Sequence, residues 1–172
     1  ICFKYRFKSP EDIEFNVYKH VPGDKKSLSN NEVHWVLPTK KGDCYFLTFG
    51  GGLCQLERDG IGKATFKSYT IRDGLASDVL LSGQEDEKGN LWISTEEGVS
   101  KFVPSTGYVM IFIDNDLGIS EAQFNEASSI RSSNGRIYFG TTQGLLSFCP
   151  DSIRISTYIP EMVLSKLSVL NR

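Results

Sequence analysis

At 172 residues, with 40% hydrophobic and 23% charged side chains, the chain has the composition of a packed globular domain, which excludes a disordered segment. A formal net charge of −2 argues against a nucleic-acid surface, and no apolar run approaches the ~18 residues of a membrane-spanning helix. Four cysteines, Cys2, Cys44, Cys54 and Cys149, lack the paired C-x-x-C spacing of a zinc site.

The first 20 residues contain two β-type runs, at 1–7 and 13–19, read as the last strands of a preceding unit. Segment 27–70 then carries Gly42-Asp43-Cys44-Tyr45-Phe46, with the turn Gly50-Gly51-Gly52 after it. Segment 73–113 carries Gly89-Asn90-Leu91-Trp92-Ile93, and segment 116–156 carries Gly135-Arg136-Ile137-Tyr138-Phe139. The second and third copies align without a gap: Gly89/Gly135, Trp92/Tyr138, Thr95/Thr141, Gly98/Gly144 and Phe102/Phe148 all differ by 46. The first copy sits 47 before the second at Gly42/Gly89 and 46 before it at Leu56/Phe102, so one extra residue lies in the triple-glycine turn.

A period in the mid-forties, built of short β-branched and aromatic runs between Gly, Asp and Asn, is the length of one four-stranded propeller blade. The turn Thr95-Glu96-Glu97-Gly98 is expected to join two strands, with Gly98 at positive φ, and Asp86 to Asn90 to form a polar turn. The aromatics Tyr45, Trp92 and Tyr138 are expected to pack between blades. The expected fold is therefore all-β: a partial β-propeller of about three to three and a half four-stranded blades. Residues 160–172 alternate like the first strand of a following β domain. Since a closed propeller typically needs four to eight blades, the chain is expected to be a piece of a longer protein. Unpaired sheet edges would favour self-association.

No Ser-His-Asp or Cys-His constellation can be placed by spacing, and His20 and His34 are the only histidines. His34 is expected to be a hydrogen-bonded structural histidine. Cys44 and Cys54 fall on adjacent strands of one hairpin and could face each other, although buried free thiols are the commoner outcome. Asp114-Asn115-Asp116 followed by Gly118 reads as a polar turn, without the spacing of an EF-hand loop. Lys25-Lys26 and Lys40-Lys41 read as solvated turn tips. No cofactor and no metal site is expected. Carboxylates suited to glycoside cleavage, Asp73, Asp78, Glu96, Glu97 and Glu126, occur in loops, but the sequence pairs none of them at a defined separation.

The stretch Asp73-Gly74-Leu75-Ala76-Ser77-Asp78, then Glu85-Asp86-Glu87-Lys88-Gly89-Asn90-Leu91-Trp92-Ile93-Ser94-Thr95, then Gly98-Val99-Ser100-Lys101-Phe102, closely resembles the two-component regulator propeller repeat. Ser94 stands where that repeat usually has Gly, and Pro38-Thr39 where Glu-Asp is common. The resemblance implies that 160–172 begins an immunoglobulin-like domain. It also implies that the parent protein is a hybrid two-component histidine kinase of Bacteroides-like bacteria, whose periplasmic region often senses oligosaccharides. This chain would then be a non-enzymatic piece of the sensor, tied to the membrane only through its parent and binding no nucleic acid. Its ligand would control polysaccharide-utilisation genes.

The loops entering each inner strand and the turns between second and third strands share one face of a propeller. That face is expected to carry Asn31, Glu32, Arg72, Asp78, Glu96, Glu97, Gln123, Asn125 and Gln143, whose amides, carboxylates and guanidinium suit sugar hydroxyls. Two rival readings are a scaffold for dimerisation or docking with ligand bound elsewhere, and a polysaccharide-degrading propeller enzyme.

Overall fold

The computed structural model describes residues 16–58, 63–119 and 123–153, without the side chains of residues 114 and 115. Three antiparallel meanders follow one another. The first contains β1 (Val33–Pro38), β2 (Cys44–Thr48), β3 (Leu53–Arg58) and β4 (Ala64–Tyr69) in that order. The second contains β5 (Leu80–Glu85), β6 (Leu91–Thr95), β7 (Gly98–Val103) and β8 (Tyr108–Phe112). The third contains β9 (Phe124–Arg131), β10 (Ile137–Thr141) and β11 (Gly144–Phe148), preceded by the single helical turn α1 (Asp114–Leu117). The architecture is an all-β partial propeller, with β1, β5 and β9 as the inner strands. The expected strand at 1–7 and the expected start of a following domain at 160–172 lie outside the described residues, as does Cys2. Of the run 13–19, the described residues 16–19 carry no strand and are exposed, and no described strand pairs with them.

Local chemistry sets the turns. Thr48, Thr95 and Thr141 occupy the same repeat position and clasp the second-to-third-strand turns, their Oγ1 donating to the carbonyls of Gly52, Gly98 and Gly144 at 2.8, 3.0 and 3.2 Å. Glycine is required at two of these positions. Gly52 and Gly98 have φ of +72° and +128°, and a Cβ there would meet Tyr69 O at 2.1 Å and Phe112 O at 2.4 Å.

The turn between β5 and β6 is organised by one buried carboxylate. Asp86 Oδ1 accepts from the Lys88 and Asn90 backbone N–H groups, both at 2.9 Å. Its Oδ2 accepts from Asn90 Nδ2 at 2.9 Å and from Trp92 Nε1 at 3.0 Å. The motif Asp86-x-x-Gly89-Asn90-x-Trp92 thus encodes a turn and the anchoring of an indole. Burial by itself pushes the Asp86 carboxyl up, but the hydrogen bonds from Asn90, Trp92 and Lys88 outweigh it and hold the group below the ordinary carboxylate value. In the first sheet Thr39 stands at the corresponding position, and its Oγ1 engages only Asp43 of the turn. The hydroxyl of Tyr45, the counterpart of Trp92, is consequently buried with no partner.

Packing then proceeds sheet against sheet. All five β6 side chains are buried, and they alternate between two cores. Leu91 and Ile93 join Leu37, Tyr45, Leu47 and Tyr69 of the first sheet, whereas Trp92 joins Phe124, Ile137 and Phe139 of the third. The Trp92 ring lies 4.9 Å from that of Phe148 and 5.4 Å from that of Phe112. On its far side the first sheet is covered by the segment before β1, where Leu28 packs with Cys54 and Phe66. Tyr45 and Trp92 are inter-sheet wedges as expected, while Tyr138 is only half-buried because no described residue packs beyond the third sheet in the same way. Cys44, Cys54 and Cys149 are free thiols. Cys54 pairs across the ladder with Phe46, and Cys44 pairs with Pro38 on the other side.

Trp92→Ala is expected to destabilise the protein by roughly 3–5 kcal/mol, read as a shift of the urea midpoint at unchanged slope, because it empties the second core. Asp86→Asn should cost about 1–3 kcal/mol at neutral pH by disrupting the turn. The folded-state pKa of Asp86 lies below the unfolded one, so its contribution is complete above about pH 4 and fades as the pH falls through the folded value. The difference between wild type and Asp86→Asn in urea unfolding should therefore shrink in acid; a difference constant down to about pH 2 would contradict the assignment.

Candidate functional site

Each inner strand begins with an irregularity at the same point of the repeat. In β1 the register slips between Val33 and Trp35, leaving His34 as the extra residue. In β5 it slips between Leu80 and Ser82, leaving Leu81. In β9 the pairing jumps from Phe124 opposite Thr141 to Ser129 opposite Phe139, so that Asn125 to Ser128 stand against Gly140 alone. Within this larger bulge Ala127 has φ +49°, a left-handed conformation rare for a residue with a Cβ. His34, Leu81 and Ala127 are 47 and 46 residues apart, so the repeat itself dictates where the bulges fall. A bulge re-aims side chains, and here it turns Asn125 and Glu126 to the surface.

These bulges and the neighbouring turns enclose a cleft of about 650 Å³. Its floor and walls include Phe49 from the β2–β3 turn, Leu81 from β5 and Phe124 from β9. Its polar rim is formed by Glu96 and Glu97 of the β6–β7 turn with Gln123, Asn125 and Glu126 at the start of β9. The rim is held firmly by the backbone. Glu97 N–H donates to Thr95 Oγ1 at 3.1 Å, Gln123 N–H donates to Thr142 Oγ1 at 3.1 Å, and Thr142 N–H donates to Gln123 O at 2.8 Å. Phe49 is fixed by its N–H donating to Glu32 O at 3.0 Å and by its carbonyl accepting from Asn30 Nδ2 at 2.5 Å.

His34 lies against this cleft. Its ring sits 5.2 Å from that of Phe49, and Nε2 faces Glu32 Oε1 at 3.4 Å and Glu126 Oε2 at 4.0 Å. Its side chain is 8% exposed, yet Nδ1 is buried with no partner. His34 is thus hydrogen-bonded at Nε2, to Glu32, as expected of a structural histidine, while the bulge that places the ring between the sheet and two acidic side chains leaves Nδ1 without a partner.

Of the nine residues expected on this face, Glu96, Glu97, Gln123 and Asn125 line the cleft, and Glu32 reaches it through His34. Asn31 is used locally, its Oδ1 accepting from His20 N–H at 2.8 Å. Asp78 serves the fold: Oδ1 accepts from Ile71 N–H at 2.8 Å, and its carbonyl accepts from Gly50 and Gly52 N–H. Arg72 lines a different hollow, beside Lys67, Asp73 and the segment from His20 to Ser29. Gln143 occupies the β10–β11 turn, its N–H donating to Thr141 Oγ1 at 3.3 Å. Sequence reasoning about ligands missed Phe49, Leu81 and Phe124, and it treated Glu126 only as one of the loop acids. The fixed spacing of His34, Leu81 and Ala127 was the available signal, but it carries meaning only once the bulges are seen.

At the opposite end of the sheets one carboxylate reaches both neighbours of the middle sheet. Glu87, in the β5–β6 turn, pairs with Lys40 Nζ of the first sheet at 2.5 Å and with Arg131 Nη1 of the third. Lys40 is therefore not a free turn tip; its backbone N–H also donates to Glu85 Oε2 at 2.8 Å. The cleft and the Glu87 clip lie at opposite ends of the same strands.

No protein-family model matches the chain. It is 32% identical over 108 residues, or 62% of its length, to histidine kinase P4 of Formosa agariphila. Its fold matches that of a solved extracellular domain, described as belonging to a hybrid two-component system of B. thetaiotaomicron, with a TM-score of 0.63 over 81% of the chain at 18% identity. A second such B. thetaiotaomicron extracellular domain aligns with a TM-score of 0.49 over 77% of the chain at 21% identity. The chain spans 8% of the length of the kinase and 19% of the first solved domain.

Ala127→Gly is expected to keep or raise the melting temperature, since glycine adopts this φ without strain. Ala127→Val should lower stability by about 1–2 kcal/mol in thermal unfolding, and equal behaviour of the two variants would contradict the strained bulge.

Proposed function

We propose that this chain is part of the extracytoplasmic sensor region of a membrane-bound hybrid histidine kinase, and that the cleft at the start of the inner strands binds an oligosaccharide. The observation that carries the reading is the cleft's construction: all three sheets meet there, and the repeat irregularities gather polar side chains over an aromatic and aliphatic floor. Gln123 and Asn125 offer donor and acceptor groups for hydroxyls, while Phe49 and Phe124 offer apolar surface to a sugar ring. The sequence similarity to a histidine kinase and the fold shared with an extracellular domain of a two-component system support the wider assignment.

In this reading the fragment carries no catalytic step. Ligand bridging the three sheets would alter their arrangement against the next domain, which signals only if the ligand prefers one of two arrangements. Kinase activity and control of polysaccharide-utilisation genes belong to the parent protein.

Titration calorimetry of the full extracellular region against a panel of plant, algal and host oligosaccharides tests this. A saturable ligand is expected, with Asn125→Ala and Gln123→Ala each weakening it about tenfold or more, and Arg72→Ala leaving it unchanged. Binding that is lost with Arg72→Ala and indifferent to Asn125→Ala would move the site to the other hollow.

A further inference from the structure

The cleft is acidic without compensation. Glu96, Glu97 and Glu126 line it, with Glu32 one residue away across His34, and among the described residues no Lys or Arg lines it. Some acids elsewhere are engaged: Glu87 holds Lys40 and Arg131, Asp151 holds Lys88, and Asp86 holds Asn90 and Trp92. By contrast the carboxylates of Glu96 and Glu97 make no hydrogen bond or ion pair among the described residues, and Glu126 faces only His34. Beside the acids, the His34 ring is more than nine-tenths buried against Phe49 of the cleft wall, with Nε2 turned to Glu32 and Glu126 and Nδ1 buried without a partner. Among the described residues no group of three or more His, Cys, Asp or Glu is placed to hold a metal ion.

Resting on the reading of this cleft as a saccharide site, we infer that its ligand carries a protonated amine, as a deacetylated amino sugar does. An ammonium group is a compact charge with three donors, able to bridge Glu96 or Glu97 and Glu126 while the ring lies on Phe49 or Phe124. The same carboxylates repel sulfate and uronate groups, so polyanionic glycans are rejected by charge as well as by the lack of a basic partner.

The test is calorimetry on the full extracellular region with tetraglucosamine, its fully N-acetylated counterpart and a sulfated tetrasaccharide, in a mildly acidic buffer that keeps the amines charged. Tetraglucosamine is expected to bind at least about tenfold more tightly than the N-acetylated form, and the sulfated sugar not at all. The double variant Glu96→Gln/Glu97→Gln should remove that preference while melting like the wild type, and Glu57→Gln, outside the cleft, should leave it intact. Equal affinity for the amine and its acetylated form, tight binding of the sulfated sugar, or a preference that survives the double variant would overturn the inference while leaving saccharide sensing in place. Silence with all three sugars would overturn it as well, and saccharide sensing itself then falls only if the wider neutral panel is also silent.

Discussion

The structure depends on one constraint: a blade-like sheet cannot bury either face alone. The middle sheet meets it by alternation, sending Leu91 and Ile93 to one neighbour and Trp92 to the other along a single five-residue strand. At roughly 25 cal/mol per Å² of apolar surface removed from water, residues of this size supply the main driving force for stacking. Directional bonds then fix the details, above all the Asp86 carboxylate that secures both its own turn and the Trp92 indole. The wedge and the turn are thus one unit, and a change at either is felt in the contact between sheets.

Stacking also creates the site. Three inner strands brought side by side at their starts break register at the same repeat position, through His34, Leu81 and the segment around Ala127. The deepest irregularity, in β9, presents Asn125 and Glu126 next to the turn bearing Glu96 and Glu97. At the other end of the strands Glu87 ties the first and third sheets to the second through Lys40 and Arg131. Exposed ion pairs of this kind contribute little stability singly. In the proposed reading, their placement leaves the cleft end as the place where a ligand would bridge the sheets.

The strand meanders, the glycines at 52 and 98 and the wedge role of Tyr45 and Trp92 were legible because each is a local rule repeated at a fixed spacing. The threonine clasps were visible as a repeated Thr before each turn, though not their bonds. The cleft was legible only in part. Loops facing one end could be named from topology, which brought in Glu96, Glu97, Gln123 and Asn125. Asp78 was named with them but lies outside the cleft, and a carboxylate that caps Ile71 N–H looks the same in sequence as one awaiting a sugar. Arg72 follows β4 in a turn whose capping, with Thr70 and Asp73 bonded reciprocally, sets it in the other hollow. The buried Tyr45 hydroxyl and His34 Nδ1 arise from tertiary packing and bulge geometry, neither of which leaves a mark in composition or spacing.

Amide hydrogen exchange of the full extracellular region, with and without a saturating saccharide, tests the central claim most directly because it reports where the sheets are bridged. The account predicts slowed exchange at 49–52, 95–97 and 123–126, with the turns at 39–43, 86–90 and 132–136 unchanged or affected less. Protection confined to those latter turns, around Glu87, would place the ligand at the other end of the sheets and contradict the cleft as the sensing site.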